Sequence, residues 1–225
     1  MSVSVVLAAH DEAGAIGRVV RAIRRTLPDA EVLVVDDGST DATAAQAQAA
    51  GARVHSLAAN AGKGIALRTG LDDARGAELV VLDADGQDDP TEIPRLLRAL
   101  RGGADLVIGS RFLGRFDEGA IRPIDRVGNR ALTSAFNLLY GTTLTDSQAG
   151  FRAMRAELWA RLHVTARRYD VETDVLAQAV RAGARVVEVP VTRRPRHEGR
   201  TGLSAVRDGT RILRRMLAGR FVTTR

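Results

Sequence analysis

Short apolar runs rich in Val, Ile and Leu alternate with longer amphipathic stretches through the first half of the chain. The runs at residues 3–9, 31–36, 52–57, 79–83 and 105–109 have the length and β-branched content of strands. Between them, residues 15–27, 42–50, 65–74 and 91–100 repeat apolar positions at helical spacing. This alternation predicts βαβ units, and hence an α/β fold with a mostly parallel central sheet flanked by helices.

The second half of the chain has a less regular pattern. Residues 109–125 are rich in Gly and charge and predict a loop, as do residues 142–150 and 193–202. Helices are predicted over residues 126–140, 172–182 and 203–218, and one more strand over residues 185–192. Because no linker separates the halves, we expect the second half to complete a site that the first begins.

Composition limits the kind of protein this chain can be. With 225 residues and 45% hydrophobic content, the chain can bury a real core, and one globular domain is expected. The absence of cysteine excludes disulfides and thiolate metal sites. We find neither a basic leader before an apolar stretch nor a run of about 18 apolar residues, so we expect no secretion signal and no membrane span.

The positive charge is concentrated at the end of the chain. The net charge is +6, but residues 190–225 hold ten Arg against Glu198 and Asp208, a net +8, so the remainder is slightly acidic. The acidic remainder, and the low aromatic content of the whole chain, 4%, argue against nucleic acid as a partner. An apolar stripe at helical spacing runs through residues 203–218 between arginines, which predicts a helix resting on an anionic bilayer; packing on the domain's own core is the alternative.

Two carboxylates stand at the end of the predicted fourth strand. Asp83 and Asp85 are two residues apart, so their side chains point the same way from extended backbone, and Gln87 continues the spacing. Mg²⁺ is commonly held by one or two carboxylates together with substrate phosphates. The pattern predicts a divalent cation at the edge of the sheet where α/β folds bind ligands, against the alternative of a simple strand-end turn.

Other polar segments follow strands at the same edge. Asp37 could accept hydrogen bonds from a ribose or base. Residues 60–64 place glycines and the only lysine of the chain, Lys63, before a helix, which suits a phosphate but matches neither a Walker A loop nor a dinucleotide fingerprint. The four histidines share no ligand spacing, so we assign none to a metal.

Together these segments resemble the family 2 glycosyltransferases with the GT-A fold, and among them the dolichyl-phosphate mannose and dolichyl-phosphate glucose synthases. The chain departs from that family's usual opening, Pro-Ala-x-Asn-Glu, and lacks the Lys of its late Arg-x-x-Gly-x-Ser-Lys segment. The matching motifs, in the family's order and spacing, are Val34-Val35-Asp36-Asp37-Gly38-Ser39-Thr40-Asp41, Asn60-Ala61-Gly62-Lys63-Gly64, Asp83-Ala84-Asp85-Gly86-Gln87 with Pro90 beyond, Gly109-Ser110-Arg111 and Asp146-Ser147-Gln148-Ala149-Gly150-Phe151-Arg152.

The resemblance implies a role for each matching position on the donor side. Glu12 and Asp37 would hold the nucleoside, and Asp83, Asp85 and Gln87 would hold Mg²⁺ or Mn²⁺ with the diphosphate. The remaining substrate-binding positions that it implies are Lys63, Asp146, Arg196 and Arg200, of which the last two belong to a basic loop closing over the phosphates.

On the acceptor side, the resemblance implies that Arg111 and Arg126 bind a phosphate, and with Asp85 they form the predicted catalytic set. Such an acceptor is already an anion, so no side chain need remove its proton, and guanidinium groups match phosphate oxygens. Direct displacement at the sugar would invert its configuration.

The expected enzyme is therefore a metal-dependent inverting glycosyltransferase that moves mannose or glucose from GDP or UDP to a polyprenyl phosphate. A saccharide acceptor stays open, as does a sugar-nucleotide nucleotidyltransferase, although His10, Asp11 and Glu12 stand where that family needs a Gly-rich phosphate loop. We expect residues 1–202 to form the catalytic domain and residues 203–225 a basic helix and tail. We further expect a cytoplasmic protein, peripheral on the membrane surface, with a membrane protein as a further candidate partner.

Overall fold

The computed structural model describes residues 1–196 and 205–221, and within them one mixed sheet organises the molecule. The strand order is β3-β2-β1-β4-β6-β5-β7, and β6 alone among these seven runs antiparallel to its neighbours. The strands are β1 (Val3–Ala9), β2 (Glu31–Asp36), β3 (Arg53–Ser56), β4 (Glu78–Val81), β5 (Leu106–Phe116), β6 (Arg152–Arg155) and β7 (Val186–Arg193).

Helices cover both faces of the sheet. They are α1 (Ala13–Thr26), α2 (Thr43–Ala49), α3 (Lys63–Asp73), α4 (Ile93–Arg101), α5 (Pro123–Tyr140), α6 (Ala156–Trp159), α7 (Val171–Arg181) and α8 (Ala205–Phe221), with a short 3-10 turn at Pro90–Glu92 before α4. Among the helices described, none has the length and apolar content needed to cross a bilayer.

Alternating residues of the central strand β1 feed two separate cores. Val5 and Leu7 pack with Ile16 of α1 on one face, whereas Val6 packs with Leu67 of α3 on the other. This is the period-two pattern of a strand covered on both faces. The predicted α/β fold with a mostly parallel sheet is confirmed, and β1 and β2 have the predicted bounds.

The region after Gly109, predicted as a loop, is different in the structure. Strand β5 continues to Phe116, and after a register shift Arg115 and Phe116 pair with Thr192 and Arg193 of β7. The close approach explains Gly114, because a Cβ there would lie 2.0 Å from the carbonyl oxygen of Val191. The prediction of a loop was wrong here because the glycine and charged residues after Gly109 belong to a paired strand rather than to a turn.

Helix α8 packs on the domain through part of its apolar side. Ile212 and Met216 are buried in the second core, and Arg215 pairs with Asp170 at 3.0 Å. Leu213 and Leu217 remain exposed. Two of the four stripe residues that the structure describes are therefore buried in the domain's own core. Such packing was the alternative to the bilayer in the sequence prediction.

Candidate active site

The carboxyl edge of the sheet gathers the acidic residues that the sequence singled out. Arg193, the last residue of β7, lies among them: its guanidinium is 3.5 Å from Asp83 Oδ2, 3.7 Å from Asp85 Oδ2 and 2.7 Å from Asp88 Oδ1. Its second terminal nitrogen donates to Gln87 Oε1 at 2.9 Å. Asp83, Asp85 and Gln87 therefore all lie around the guanidinium of Arg193.

Asp83 has a second cationic partner, Lys63. The Lys63 ammonium lies 2.7 Å from Asp83 Oδ1 and 2.6 Å from Glu172 Oε1, so it joins α3, the end of β4 and α7. Although burial opposes ionisation, Lys63 and Arg193 hold the pKa of Asp83 well below its ordinary value, and Arg111 contributes to the shift. Asp83 is therefore ionised and held firmly in place.

Asp85 has a different electrostatic environment from Asp83. Burial and the negative charges of Asp83 and Asp88 raise the pKa of Asp85, and Arg193 offsets only part of the rise. Burial also raises the pKa of Glu12 to about 7; Arg196 opposes this shift, while Asp85 and Asp83 add to it. Four acids, Glu12, Asp83, Asp85 and Asp88, face Arg193 and Arg196 at this edge, and this excess of acids over arginines favours an added cation.

Arg196 connects the end of β7 to the start of α1. Its guanidinium pairs with Glu12 and lies 3.8 Å from Asp85 Oδ2. The structure therefore brings together Glu12, Asp85 and Arg196, which the sequence assigned to donor binding. Arg200, assigned to the same loop, lies outside the described residues.

Asp37 and the glycine loop are bonded to each other. The Asp37 carboxylate accepts hydrogen bonds from the backbone N–H groups of Ala61, at 2.7 Å, and Gly62, at 2.9 Å. The Gly64 N–H donates to the Arg167 carbonyl at 3.0 Å, and Lys63 faces carboxylates. The N–H groups that suited a phosphate in the sequence are therefore used within the chain.

A second charged cluster lies beside the first, at the start of the extension of β5. Arg111 forms a two-pronged ion pair with the fully buried Asp146, at 2.7 and 2.8 Å. Glu188 of β7 accepts hydrogen bonds from the backbone N–H groups of Thr145 and Asp146, at 2.8 and 2.9 Å, and so fixes their turn. Arg111 and Asp146 are thereby held as a unit.

Arg126 lies apart from both clusters, on the exposed side of α5. Its guanidinium stacks over the Phe116 ring at 5.1 Å, and one turn later Arg130 stacks over Phe112 at the same distance. Both rings belong to β5, the strand that carries Arg111. Helix α5 therefore presents a row of cations along the same strand.

Sequence reasoning missed Asp88, Arg193, Glu172 and Glu188. Arg193 stood among ten arginines near the end of the chain, and only its pairing across the sheet separates it from them. Asp88 had a usable signal, because it follows Asp83 and Asp85 directly in the same turn.

The donor set at this edge fits a hard divalent cation. Within residues 1–196 and 205–221, no three His, Asp or Glu side chains form a complete metal centre. Two convergent carboxylates are enough, however, when a bound diphosphate supplies the other oxygen ligands. Burial is the first cause of the raised pKa of Asp85, and the negative charges of Asp83 and Asp88 add to it.

Comparisons with known proteins agree on a single family. The family model described as glycosyl transferase family 2 matches residues 4–162. The polyprenol monophosphomannose synthase of Mycolicibacterium smegmatis is 35% identical over 215 residues, covering 89% of this chain and 80% of that protein. Glycosyltransferase AglJ of Haloferax volcanii is 37% identical over 182 residues, or 80% of this chain. The chain spans 59% of AglJ and 53% of a hexosyltransferase from the same organism, little more than half of each.

A solved structure has the same fold over almost the whole chain. Glucosyl-3-phosphoglycerate synthase from Mycobacterium tuberculosis, in complex with Mn²⁺, UDP-glucose and phosphoglyceric acid, superposes with a TM-score of 0.80 at 26% identity. The match covers 99% of this chain and 81% of that one. This neighbour therefore binds Mn²⁺, UDP-glucose and phosphoglyceric acid on a similar fold.

Proposed function

Because the chain belongs to glycosyl transferase family 2, we propose that it moves mannose or glucose from a nucleoside diphosphate sugar to a polyprenyl phosphate. The observation that carries the proposal is the pairing of two clusters at one edge of the sheet. The acids Asp83 and Asp85 suit a metal and a diphosphate, and the held Arg111 beside them suits an anionic acceptor. The mannose synthase relative supports the lipid acceptor.

On the donor side, we assign Asp83, Asp85 and Gln87 to Mg²⁺ or Mn²⁺. When bound, this cation would neutralise charge that develops on the leaving diphosphate. Lys63 acts through Asp83, because its ammonium group pairs with both Asp83 and Glu172 and so keeps Asp83 in position. Asp37 supports the nucleoside side indirectly, because its carboxylate fixes the backbone at Ala61 and Gly62.

Donor binding requires arginines to exchange partners. Arg193 and Arg196 pair with the carboxylates that would face the metal. A cation at that position would take over this neutralising role, and the guanidinium groups would then be free to bind diphosphate oxygens. Nucleoside diphosphate and metal should therefore bind cooperatively.

On the acceptor side, the chemistry needs an anion binder rather than a base. A phosphate monoester is already negatively charged, so a guanidinium that orients it is sufficient for attack at the anomeric carbon. Arg111, with its free edge, and Arg126 are assigned to this task, and Asp146 keeps Arg111 in position. Displacement from the face opposite the leaving group would invert the sugar.

A soluble phosphorylated acid is a second candidate acceptor. The structural neighbour was solved with phosphoglyceric acid, a compound that carries a phosphate and a carboxylate. Arg111 would suit either anion. The choice between the two acceptors can be made by assay.

Two measurements test the proposal. The first is the melting temperature with GDP or UDP, with and without Mn²⁺. Nucleotide and metal together should raise it by more than the sum of the two separate rises, because each ligand should strengthen the binding of the other. Transfer of labelled sugar should then occur to a polyprenyl phosphate and not to phosphoglyceric acid. Transfer to phosphoglyceric acid alone would show that the acceptor is a soluble phosphorylated acid and not a lipid phosphate.

The acceptor assignment has a matched pair of variants. Arg126→Ala should weaken use of the acceptor by about tenfold or more while leaving nucleotide affinity unchanged, since a charged hydrogen bond contributes about 1.5–3 kcal/mol. Arg126→Lys, which keeps the charge, should lose less. A loss of nucleotide affinity with normal acceptor kinetics would reverse the assignment.

A further inference from the structure

Helix α5 turns three of its seven large apolar side chains toward solvent. Ile124 is 65% exposed, Val127 64% and Leu138 86%. In the same helix only Thr133 and Phe136 are fully buried. An amphipathic helix normally buries its apolar side, so an outward apolar face needs a partner.

These exposed residues lie on one side of the helix. At 100° per residue, positions 124, 127, 131 and 138 fall within about 60° of each other around the helix, and they extend over about 21 Å of its length. Ala131, also exposed, fills the middle of the stripe. We call Ile124, Val127, Ala131 and Leu138 the α5 stripe.

A row of cations borders the α5 stripe. Arg126 and Arg130 project between the stripe and β5, where they stack on Phe116 and Phe112. Arg111, assigned to the acceptor phosphate, directly precedes Phe112 on that strand. From the outside inward, the order is therefore an apolar stripe, a cationic border and the acceptor arginine.

Helix α8 offers a weaker surface of this kind. Its buried Ile212 and Met216 are used in the core, and only Leu213 and Leu217 of its described stripe are exposed, at 41% and 43%. The sequence favoured α8 as the membrane contact because the positive charge is concentrated at the end of the chain, and a sequence does not show which side of a helix is covered.

We propose that the α5 stripe docks on the surface of an anionic bilayer, with Arg126 and Arg130 at the level of the headgroup phosphates. An anionic surface satisfies both features at once, since apolar side chains enter the acyl boundary and cations meet the headgroups. Its purpose rests on the proposed function, because docking would bring Arg111 to a lipid-borne phosphate.

A second copy of this chain fits the same surface less well. A two-fold pair would place the stripe and its border against themselves, so that arginines would face arginines. Asp125, the only acid of α5, already pairs with Arg122 at 2.6 Å. The charge pattern therefore favours a lipid surface.

Co-sedimentation with vesicles tests the docking. The vesicles are an equimolar mixture of phosphatidylglycerol and phosphatidylcholine, or phosphatidylcholine alone, and contain no polyprenyl phosphate. The full chain should bind the anionic vesicles, and salt should weaken binding. The triple variant Ile124→Ser, Val127→Ser and Leu138→Ser should lose about tenfold in vesicle affinity, which corresponds to about 1.4 kcal/mol. Its melting temperature should be unchanged, since the three side chains are exposed.

The matched control is Leu213→Ser with Leu217→Ser on α8, which should bind like the wild type. Equal binding by the triple variant, loss of binding in the α8 control alone, or failure of the wild type to bind would overturn the proposal. A wild-type dimer that the triple variant converts to a monomer would assign the stripe to a second copy instead. Vesicle binding without any transfer to polyprenyl phosphate would contradict the proposed function and leave the docking intact.

Discussion

At the scale of single residues, Asp83 and Asp85 have opposite electrostatic environments although they occupy one motif. Asp83 is held by Lys63 and Arg193, and these charges lower its pKa. Asp85 has a raised pKa because it is buried close to two other carboxylates. Removing each charge should therefore affect stability differently.

We expect Asp85→Asn to reduce transfer by about a hundredfold or more, because metal stabilisation of the leaving group is worth several kcal/mol. Its free energy of unfolding should stay within about 0.5 kcal/mol of the wild type, or rise, since a repulsive charge is removed. The paired variant Asp83→Asn should lose activity and also about 2 kcal/mol of stability, because Lys63 and Arg193 lose a charged acceptor. Denaturant unfolding of both variants provides the measurement. Normal Mn²⁺-dependent activity in Asp85→Asn would contradict the metal assignment.

Glu12 should make stability depend on pH. Its pKa is about 7 in the folded protein against 4.5 for the ordinary residue, so the folded state binds the extra proton between these values. Stability therefore falls as pH rises through this interval. Between about pH 5 and pH 8, we expect the wild type to lose about 1 kcal/mol of unfolding free energy relative to Glu12→Gln, whose side chain does not titrate. This value allows for the partial solvation of Glu12. Glu118→Gln, on an exposed side chain, is the control; the same shift there would exclude Glu12 as the cause.

The sequence predicted part of the site for a simple reason. Asp83, Asp85 and Gln87 lie close together because they are near neighbours in the turn that follows β4, so a local pattern in the sequence is enough to group them. The partners of these residues come from far along the chain: Glu172 from α7 and Arg193 from β7. Such pairings depend on how the elements pack, and no local pattern specifies them.

At the scale of elements, the start of α3 is fixed by glycines that pack against a neighbouring segment. A Cβ at Gly64 would lie 2.4 Å from the carbonyl oxygen of Ala166, and one at Gly62 would lie 2.4 Å from that of Arg167. Gly62 also has a φ of +101°, which disfavours any side chain. These glycines therefore serve close packing of backbone segments.

We expect Gly64→Ala to lower the free energy of unfolding by about 1–3 kcal/mol, because backbone must move to relieve the contact. Gly128→Ala is the matched change inside α5, where no atom lies within 4 Å of the added Cβ. That variant should gain about 0.5–1 kcal/mol from reduced unfolded-state entropy and higher helix propensity. Urea unfolding of both proteins compares them, and equal effects would contradict the packing argument.

Strands and helices could be predicted from the sequence where the pattern of apolar residues is strong. Strands β1 and β2 consist mainly of Val, Leu and Ala, and both were predicted to the residue. Strand β6 was missed because its four residues begin and end with arginine. Arg152 is nevertheless buried, since its guanidinium donates to the carbonyls of Ser147, Ala149 and Glu172.

At the scale of the whole molecule, α8 contributes to the stability of the domain on which it packs. Ile212 and Met216 complete the second core, and Arg215 pairs with the buried Asp170. We expect deletion from residue 205 onward to lower the free energy of unfolding by about 3–6 kcal/mol, the value of two buried apolar side chains. Leu217→Ser, on the exposed side, should change it by no more than about 0.5 kcal/mol. An unchanged denaturation midpoint after the deletion would show that α8 is dispensable for folding.

The place of β6 in the sheet determines the order in which the molecule can assemble. Strands β1 to β4 pair only among themselves until β6 is available, so this four-stranded unit can form early during synthesis. Strand β5 is made next but has no partner in that unit, because β6 lies between it and β4. Until residues 152–155 are made, β4 presents an unpaired edge with three apolar residues, Leu79, Val80 and Val81, to other chains, which is a hazard for aggregation. Insertion of β6 thus unites the acid-bearing half with the half that carries Arg111, and the nascent chain is at greatest risk in the interval before it.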